Sequence, residues 1–218
     1  MAILNRADLV SSVEKWLRRP SVAPEIPTFL QLCEADMQRR LNVAQQEQVA
    51  NFTTVQGNPS VQLPIGFTEV RRVRLIQSYG DVDLWPVALA PSDSANWSRQ
   101  GKPLAYAFVG DTMNLRPTPD TEYNLQMNYY AKFAPLVAPD DTNWILQEAP
   151  DAYLYGTLLH SAPYLGTDIR LPLWERGYEG ALASVNTDDF NKRKKMLQRQ
   201  TEVAHLTGRG PYNIYGGY

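Results

Sequence analysis

The sequence predicts an α+β protein: a helical bundle formed by N- and C-terminal helices, an antiparallel β region inserted between them, and an extended C-terminal arm. Three observations predict it. Apolar residues recur at three- and four-residue spacing up to about residue 44 and again beyond 134. Between those points the period drops toward two, and Gly, Pro, Asn and Asp punctuate it. The final stretch then abandons both patterns. The expected organisation is a helical lobe from 1–44 and 134–206, a β-rich insert over 45–133, and an arm over 207–218.

Asn5 is placed to cap a first helix carrying Leu9, Val10, Val13, Trp16 and Leu17. Pro20, Pro24 and Pro27 break that pattern, and a second helix starts near Pro27, a residue the first helical turn tolerates. Its apolar stripe is Phe29, Leu30, Cys33, Met37 and Leu41. Strands follow at Val49–Val55 and Val70–Ile76. Asp83–Val87 is extended, and Pro86 argues for a sheet edge. Pro91 to Trp97 reads as a short helix. Leu104–Val109 and Met113–Leu115 flank Gly110-Asp111-Thr112 as a hairpin. Tyr123 to Phe133 alternates strictly, with Leu125, Met127, Tyr129, Ala131 and Phe133 on one face. Short connections imply antiparallel pairing throughout. Helix then returns over Trp144 to Leu165, with Pro163 expected to kink or end it. Asp168 or Thr167 caps a last helix whose stripe is Leu171, Trp174, Tyr178, Ala181, Leu182 and Val185. Asn186–Asp189 either interrupts that helix or passes through it, and Phe190 to Leu206 continues as a weaker amphipath.

The bulk composition narrows the function classes. Formal charge is 21 − 23 = −2, so no global field draws the chain to nucleic acid. Cys33 is the one cysteine, which leaves no intrachain disulfide framework and fits a reducing compartment. Charge enters too early in Met1–Asp8 for a signal peptide, and no run approaches the roughly 18 apolar residues of a membrane span. The reading is a protein made in the cytoplasm, with no membrane partner.

Constellations that carry chemistry are sparse. His160 and His205 share no ligand spacing, and there is no Cys-x-x-Cys, so neither a metal nor a cofactor is expected. Phosphate-cradling and hydrolase-elbow motifs are absent. His160 reads as a polar residue at a helix contact and Cys33 as a buried, inert thiol. Asp140-Asp141, Asp188-Asp189 and Asp120-x-Glu122 read as caps and turns rather than magnesium ligands. No catalytic residue is assigned, and the chain is read as not an enzyme. Phe29, Trp85, Trp97, Trp144 and Trp174 read as core or interface. One charge run stands out: Lys192, Arg193, Lys194 and Lys195, with Arg199. From Thr187 to Gly210 there are six basic and three acidic side chains. A solvated helix face, an acidic partner and diffuse phosphate contact are all compatible with it.

Short motifs follow in order along the chain: Ile26-Pro27-Thr28-Phe29-Leu30, Leu63-Pro64 ahead of Glu69–Leu75, Leu115-Arg116-Pro117-Thr118-Pro119, Tyr129-Tyr130-Ala131-Lys132, and Thr142–Leu146. The richest stretch is Pro150–Gly156 with Ala162-Pro163-Tyr164-Leu165. In this order they resemble the tailed-bacteriophage head-to-tail adaptors, also called connector or head-completion proteins. The resemblance spans about residues 5–190. It implies a structural virion protein at the neck between capsid and tail, forming a homo-oligomeric ring, typically a dodecamer. Such a ring binds the portal protein on one side and a tail nozzle or other tail protein on the other. DNA passes through its channel without sequence specificity.

The arm is a separate reading. Thr207–Tyr218 holds four glycines and three tyrosines, a composition that orders only against a partner. Arg209, Pro211, Tyr212, Ile214, Tyr215 and Tyr218 are the expected portal or intersubunit contacts. Lys192, Arg193, Lys194, Lys195 and Arg199 are the expected DNA-channel or acidic-partner contacts. Competing readings are a tail terminator or assembly factor, a DNA-binding accessory protein, and a nuclease or cell-wall hydrolase.

Overall fold

The computed structural model describes residues 2–88, 100–166 and 168–206, with side chains as far as residue 195. The arm, the short helix expected over 91–97, and Thr167 lie outside the described residues. The fold class is α+β, as the sequence predicts. The chain divides into two compact units: residues up to Ala44 with those from Ala134 onward, and Gln45–Phe133.

The first unit is helical. Helix α1 (Arg6–Leu17) is capped by Asn5, whose side chain accepts from the Asp8 N–H at 2.9 Å. It closes at Arg18, a left-handed residue (φ 53°) whose N–H reaches the Glu14 carbonyl. A short 3₁₀ segment (Pro20–Glu25) leads into α2 (Ile26–Arg40). After a strap from Ala134, α3 (Trp144–Glu148), α4 (Pro150–Leu165) and α5 (Leu171–Leu206) complete the unit. The single helix expected over 144–165 is two. Pro150 disfavours helical geometry at the residue before it, and Ala149 sits at φ −137°, ψ 65°. Pro163 does not end α4, which runs to Leu165 and stops at Gly166 (φ 77°). Its missing N–H removes one bond in the last turn, where the helix has few left to lose. Asn186–Asp189 passes straight through α5.

Helices α2, α4 and α5 meet through two glycines. A Cβ on Gly156 would strike the Cys33 sulfur and fall 2.8 Å from the Tyr178 ring. One on Gly177 would fall 2.8 Å from the Tyr155 ring. Hydrogen in place of a side chain lets these surfaces close on each other. Trp174, Tyr178, Ala181 and Leu182 of the expected α5 stripe are buried.

The second unit is two four-stranded sheets that share one core. One sheet is ordered β1 (Glu47–Thr53), β8 (Asn124–Ala131), β3 (Phe67–Ile76), β4 (Val82–Asp83). The other is ordered β2 (Ser60–Gln62), β7 (Thr112–Arg116), β6 (Ala105–Val109), β5 (Trp85–Pro86). Val73, Leu75, Leu125, Met127 and Tyr129 from the first pack with Tyr106, Met113 and Leu115 from the second. The β6–β7 hairpin turns on Gly110 (φ 56°) and Asp111, with Val109 paired to Thr112. Strand β3 buries Val73 and Leu75 and half-buries Val70, which breaks strict alternation. Register shifts between Phe67/Glu69 and Val70/Arg72 re-aim the strand and reconcile the pattern. The expectation of antiparallel pairing fails between β5 and β6, which run parallel, and at an isolated parallel bridge between Gln100 and Thr118. A parallel pair needs a long connection, and residues 87–104 separate these two strands along the chain. Pro86 does lie on an edge strand.

Candidate assembly surfaces

Within the helical unit a buried polar network fixes the strap. Glu34, on α2, accepts from the Leu136 N–H at 2.8 Å and from the Tyr153 hydroxyl at 3.2 Å. Asn143 donates to Tyr153 Oη (2.6 Å) and to the Ala134 carbonyl (2.9 Å), while its oxygen caps α3 at the Leu146 N–H. Burial raises the Glu34 pKa, with Leu136 and Tyr153 pulling against it. Burial likewise pushes the Tyr153 hydroxyl up. Cys33 is fully buried, and desolvation raises its thiol far out of the reactive range.

Glu34 gives a pH signature. Its folded pKa lies above the ordinary 4.5, so the native state holds more protons than the unfolded chain above that pH. Stability from this group is full below 4.5 and is lost as pH rises through the folded pKa. Asp168 works in the opposite direction and in a lower window. Hydrogen bonds from Arg170 lower it to about 2, so its contribution is present above the ordinary 3.8 and lost as pH falls toward 2. Glutamine at 34 keeps the acceptor oxygen without the charge. Glu34→Gln is therefore expected to match the parent near pH 4 and exceed it in stability at pH 8. Denaturant titrations at the two pH values check this, and an equal difference at both would count against the buried-charge account.

A second polar cluster ties α2 to α5. Tyr178 donates to Asp36 at 2.9 Å, and Arg40 lies 5.4 Å from the Tyr178 ring centre while pairing with Glu179 and Asp36. Burial pushes Asp36 up, but Tyr178, Arg39 and Arg40 together outweigh it and hold its pKa below the usual range. At the start of α5, Arg170 pairs with Asp168, lies 4.9 Å from the Trp174 ring centre and donates to the Trp16 carbonyl at 2.8 Å. That last bond satisfies an open carbonyl at the end of α1.

The basic run Lys192 to Lys195 lies on α5. Successive residues of a helix are turned by about 100°, so Lys192 to Lys195 encircle α5. Lys192 sits 3.9 Å from Glu148, and Arg193 pairs with Asp189 at 2.7 Å. Asp189 is buried and also accepts from the Ala44 N–H at 2.9 Å. Lys194 and Lys195 are exposed. Arg199 lies further along α5, beyond the described side chains. Arg209, Pro211, Tyr212, Ile214, Tyr215 and Tyr218 lie outside the described residues.

The other acids hold turns. Asp141 accepts from the Val137 and Ala138 N–H groups, and Asp120 accepts from the Tyr123 hydroxyl. Among the described residues no group of three or more His, Cys, Asp or Glu is placed to hold a metal ion, and no helix is long and apolar enough to cross a membrane. His160 is half-buried with its Nε2 lacking a hydrogen-bond partner, and burial lowers its pKa.

Apart from Trp85, read as core or interface, the sequence reading did not single out the exposed apolar side chains. Ile65, Tyr79 and Trp85 stand in solvent on the β unit, and Tyr164, Ile169, Leu173 and Phe190 do so on the helical unit. Trp85 and Trp174, grouped together in the sequence, differ sharply: Trp174 is buried and Trp85 is exposed. Leu173 carried a signal, being an apolar residue off the stripe defined by Leu171, Trp174 and Tyr178. Large apolar side chains in water are candidate contact points, and both units carry them. The family model described as SU10 adaptor protein matches residues 4–203, and the chain belongs to that family. This is a bacteriophage adaptor family, in agreement with the motif order of the sequence. No curated protein matches the chain.

Proposed function

We propose that the chain is a structural virion protein that forms a ring between the portal of the phage capsid and the tail, continuing the DNA channel. The family match over residues 4–203 carries this reading. The exposed apolar side chains on both units support it, because a ring subunit must contact neighbours as well as partners above and below. In this reading the helical lobe and the arm face the portal, and the insert over 45–133 faces outward or toward the tail. Arg209, Pro211, Tyr212, Ile214, Tyr215 and Tyr218 anchor the arm in a portal or intersubunit cleft. Lys194, Lys195 and Arg199 offer weak, diffuse contact to passing DNA, which suits a channel through which DNA must slide. Lys192 and Arg193 are already engaged by carboxylates on the chain itself.

The test is to mix the purified protein with purified portal rings and image the mixture by electron microscopy. A coaxial ring stacked on the portal is expected. A chain ending at residue 206 is expected to keep its helical content and lose most of its portal occupancy. A full-length protein that ignores the portal would sink the adaptor-ring reading, and unimpaired attachment of the shortened chain would sink the role of the arm.

A further inference from the structure

Resting on the ring reading, we infer that the two ends of helix α1 are the two halves of one head-to-tail contact between copies of this chain. The ends differ in charge, and each exposes large apolar side chains. At the N-terminal end, the strap from Ala134 is fixed to α1 by the Arg6 and Ala7 N–H groups, which donate to the Asp141 and Pro139 carbonyls. There Val137 is 71% exposed and Leu4 68% exposed. Asp8, Asp140 and Asp141 make this end acidic against the half-buried Arg6.

At the other end, Arg170 holds the Trp16 carbonyl, and Tyr155 meets the Trp16 ring edge-on at 5.8 Å. Leu173 is 62% exposed one turn before Gly177, the residue packed on Tyr155, and Ile169, in the turn that precedes α5, is 93% exposed. Arg18, Arg19 and Arg176 are exposed around this apolar group, while Arg170 is matched by Asp168. Glu14 and Glu175 trim the basic excess without reversing it.

The occupant that fits both ends is a second copy. An acidic rim around Val137 and Leu4 complements a basic rim around Ile169 and Leu173, and each chain carries one of each. Two different patches in mutual contact make a heterologous interface, which propagates from copy to copy and closes when the rotation closes. An isologous dimer would set like charges against each other at either end.

Helix α1, twelve residues at about 1.5 Å each, is about 18 Å long, and the two patches lie at its opposite ends. A disulfide needs Cα atoms within about 7 Å, so cysteines at the two ends cannot bond within one chain. The native Cys33 is fully buried and stays out of the reaction. The test is oxidative cross-linking of portal-seated rings of the doubly substituted chain Val137→Cys/Ile169→Cys, with Val137→Cys/Leu173→Cys as a second geometry. All three positions are exposed, so folding should be undisturbed, which circular dichroism checks. The expected result is a ladder of covalent multimers from at least one double variant and monomer from each single variant. Rings visible by electron microscopy without a ladder from either pair would overturn this contact and leave the ring reading standing. Covalent dimers from a single variant would overturn it in favour of an isologous contact. A parent protein that forms no rings would remove the ring reading and this interface with it.

Discussion

Valine at position 156 is expected to lower the stability of the helical unit by about 3 kcal/mol or more, enough to leave much of the protein unfolded on heating. The argument is steric. The first added carbon would meet the Cys33 sulfur and lie 2.8 Å from Tyr178. Both neighbours are among the most deeply buried side chains of the unit, and Tyr178 is further held by its bond to Asp36. Neither has room to retreat, so α4 must back away from α2 and α5. A helical glycine replaced by alanine normally gains roughly 0.5–1 kcal/mol; here packing reverses the sign. Gly180 supplies the control, because nothing lies within 4 Å of its would-be Cβ. Gly180→Ala should therefore stabilise by roughly 0.5–1 kcal/mol on propensity alone. Denaturant unfolding followed by far-ultraviolet circular dichroism compares the three chains. A Gly156→Val midpoint equal to the parent's would show that the three-helix contact is looser than described.

The contrast between those glycines marks the boundary of what the sequence discloses. Helix stripes and the alternation of β8 are local patterns, written in the spacing of neighbours, and Leu9, Val13, Leu125 and Met127 were readable as core from that spacing alone. Gly156 and Gly180 look alike in the sequence, both flanked by helical periodicity. Only the approach of Cys33 and Tyr178, from helices far away along the chain, makes one irreplaceable. The same physics explains the other departures. The parallel β5–β6 pair and the register shifts of β3 are set by partner strands, whereas the break at Ala149 was legible in Pro150. The basic run was legible as charge, but the acids that engage Lys192 and Arg193 depend on fold, with Glu148 on another helix. The motif order pointed to the adaptor family because family resemblance is a property of sequence. Exposed apolar residues were hidden because a leucine in water and a leucine in a core are the same letter.

Truncating Trp174 to alanine is expected to remove about 3–5 kcal/mol, the range for deleting a fully buried large aromatic. Trp174 is 1% exposed and among the largest fully buried side chains of the protein. Its effect should extend beyond the cavity. The Arg170 guanidinium lies over the indole, and that stacking helps hold the arm of Arg170 that bonds the Trp16 carbonyl. Without the ring, Arg170 keeps Asp168 but loses one side of its support, and the end of α1 loosens. Trp174→Phe retains a π face under Arg170 and most of the apolar volume, so its loss should be clearly smaller. Hydrogen exchange separates the two consequences. Amides in the last turn of α1 should exchange faster in Trp174→Ala than in Trp174→Phe, even under conditions where both are fully folded. Equal exchange in the two variants would confine the role of Trp174 to filling space. Faster exchange would tie the packing of α5 to the order of the basic end of α1, which carries one half of the inferred head-to-tail contact, so that core stability and ring closure would rise and fall together.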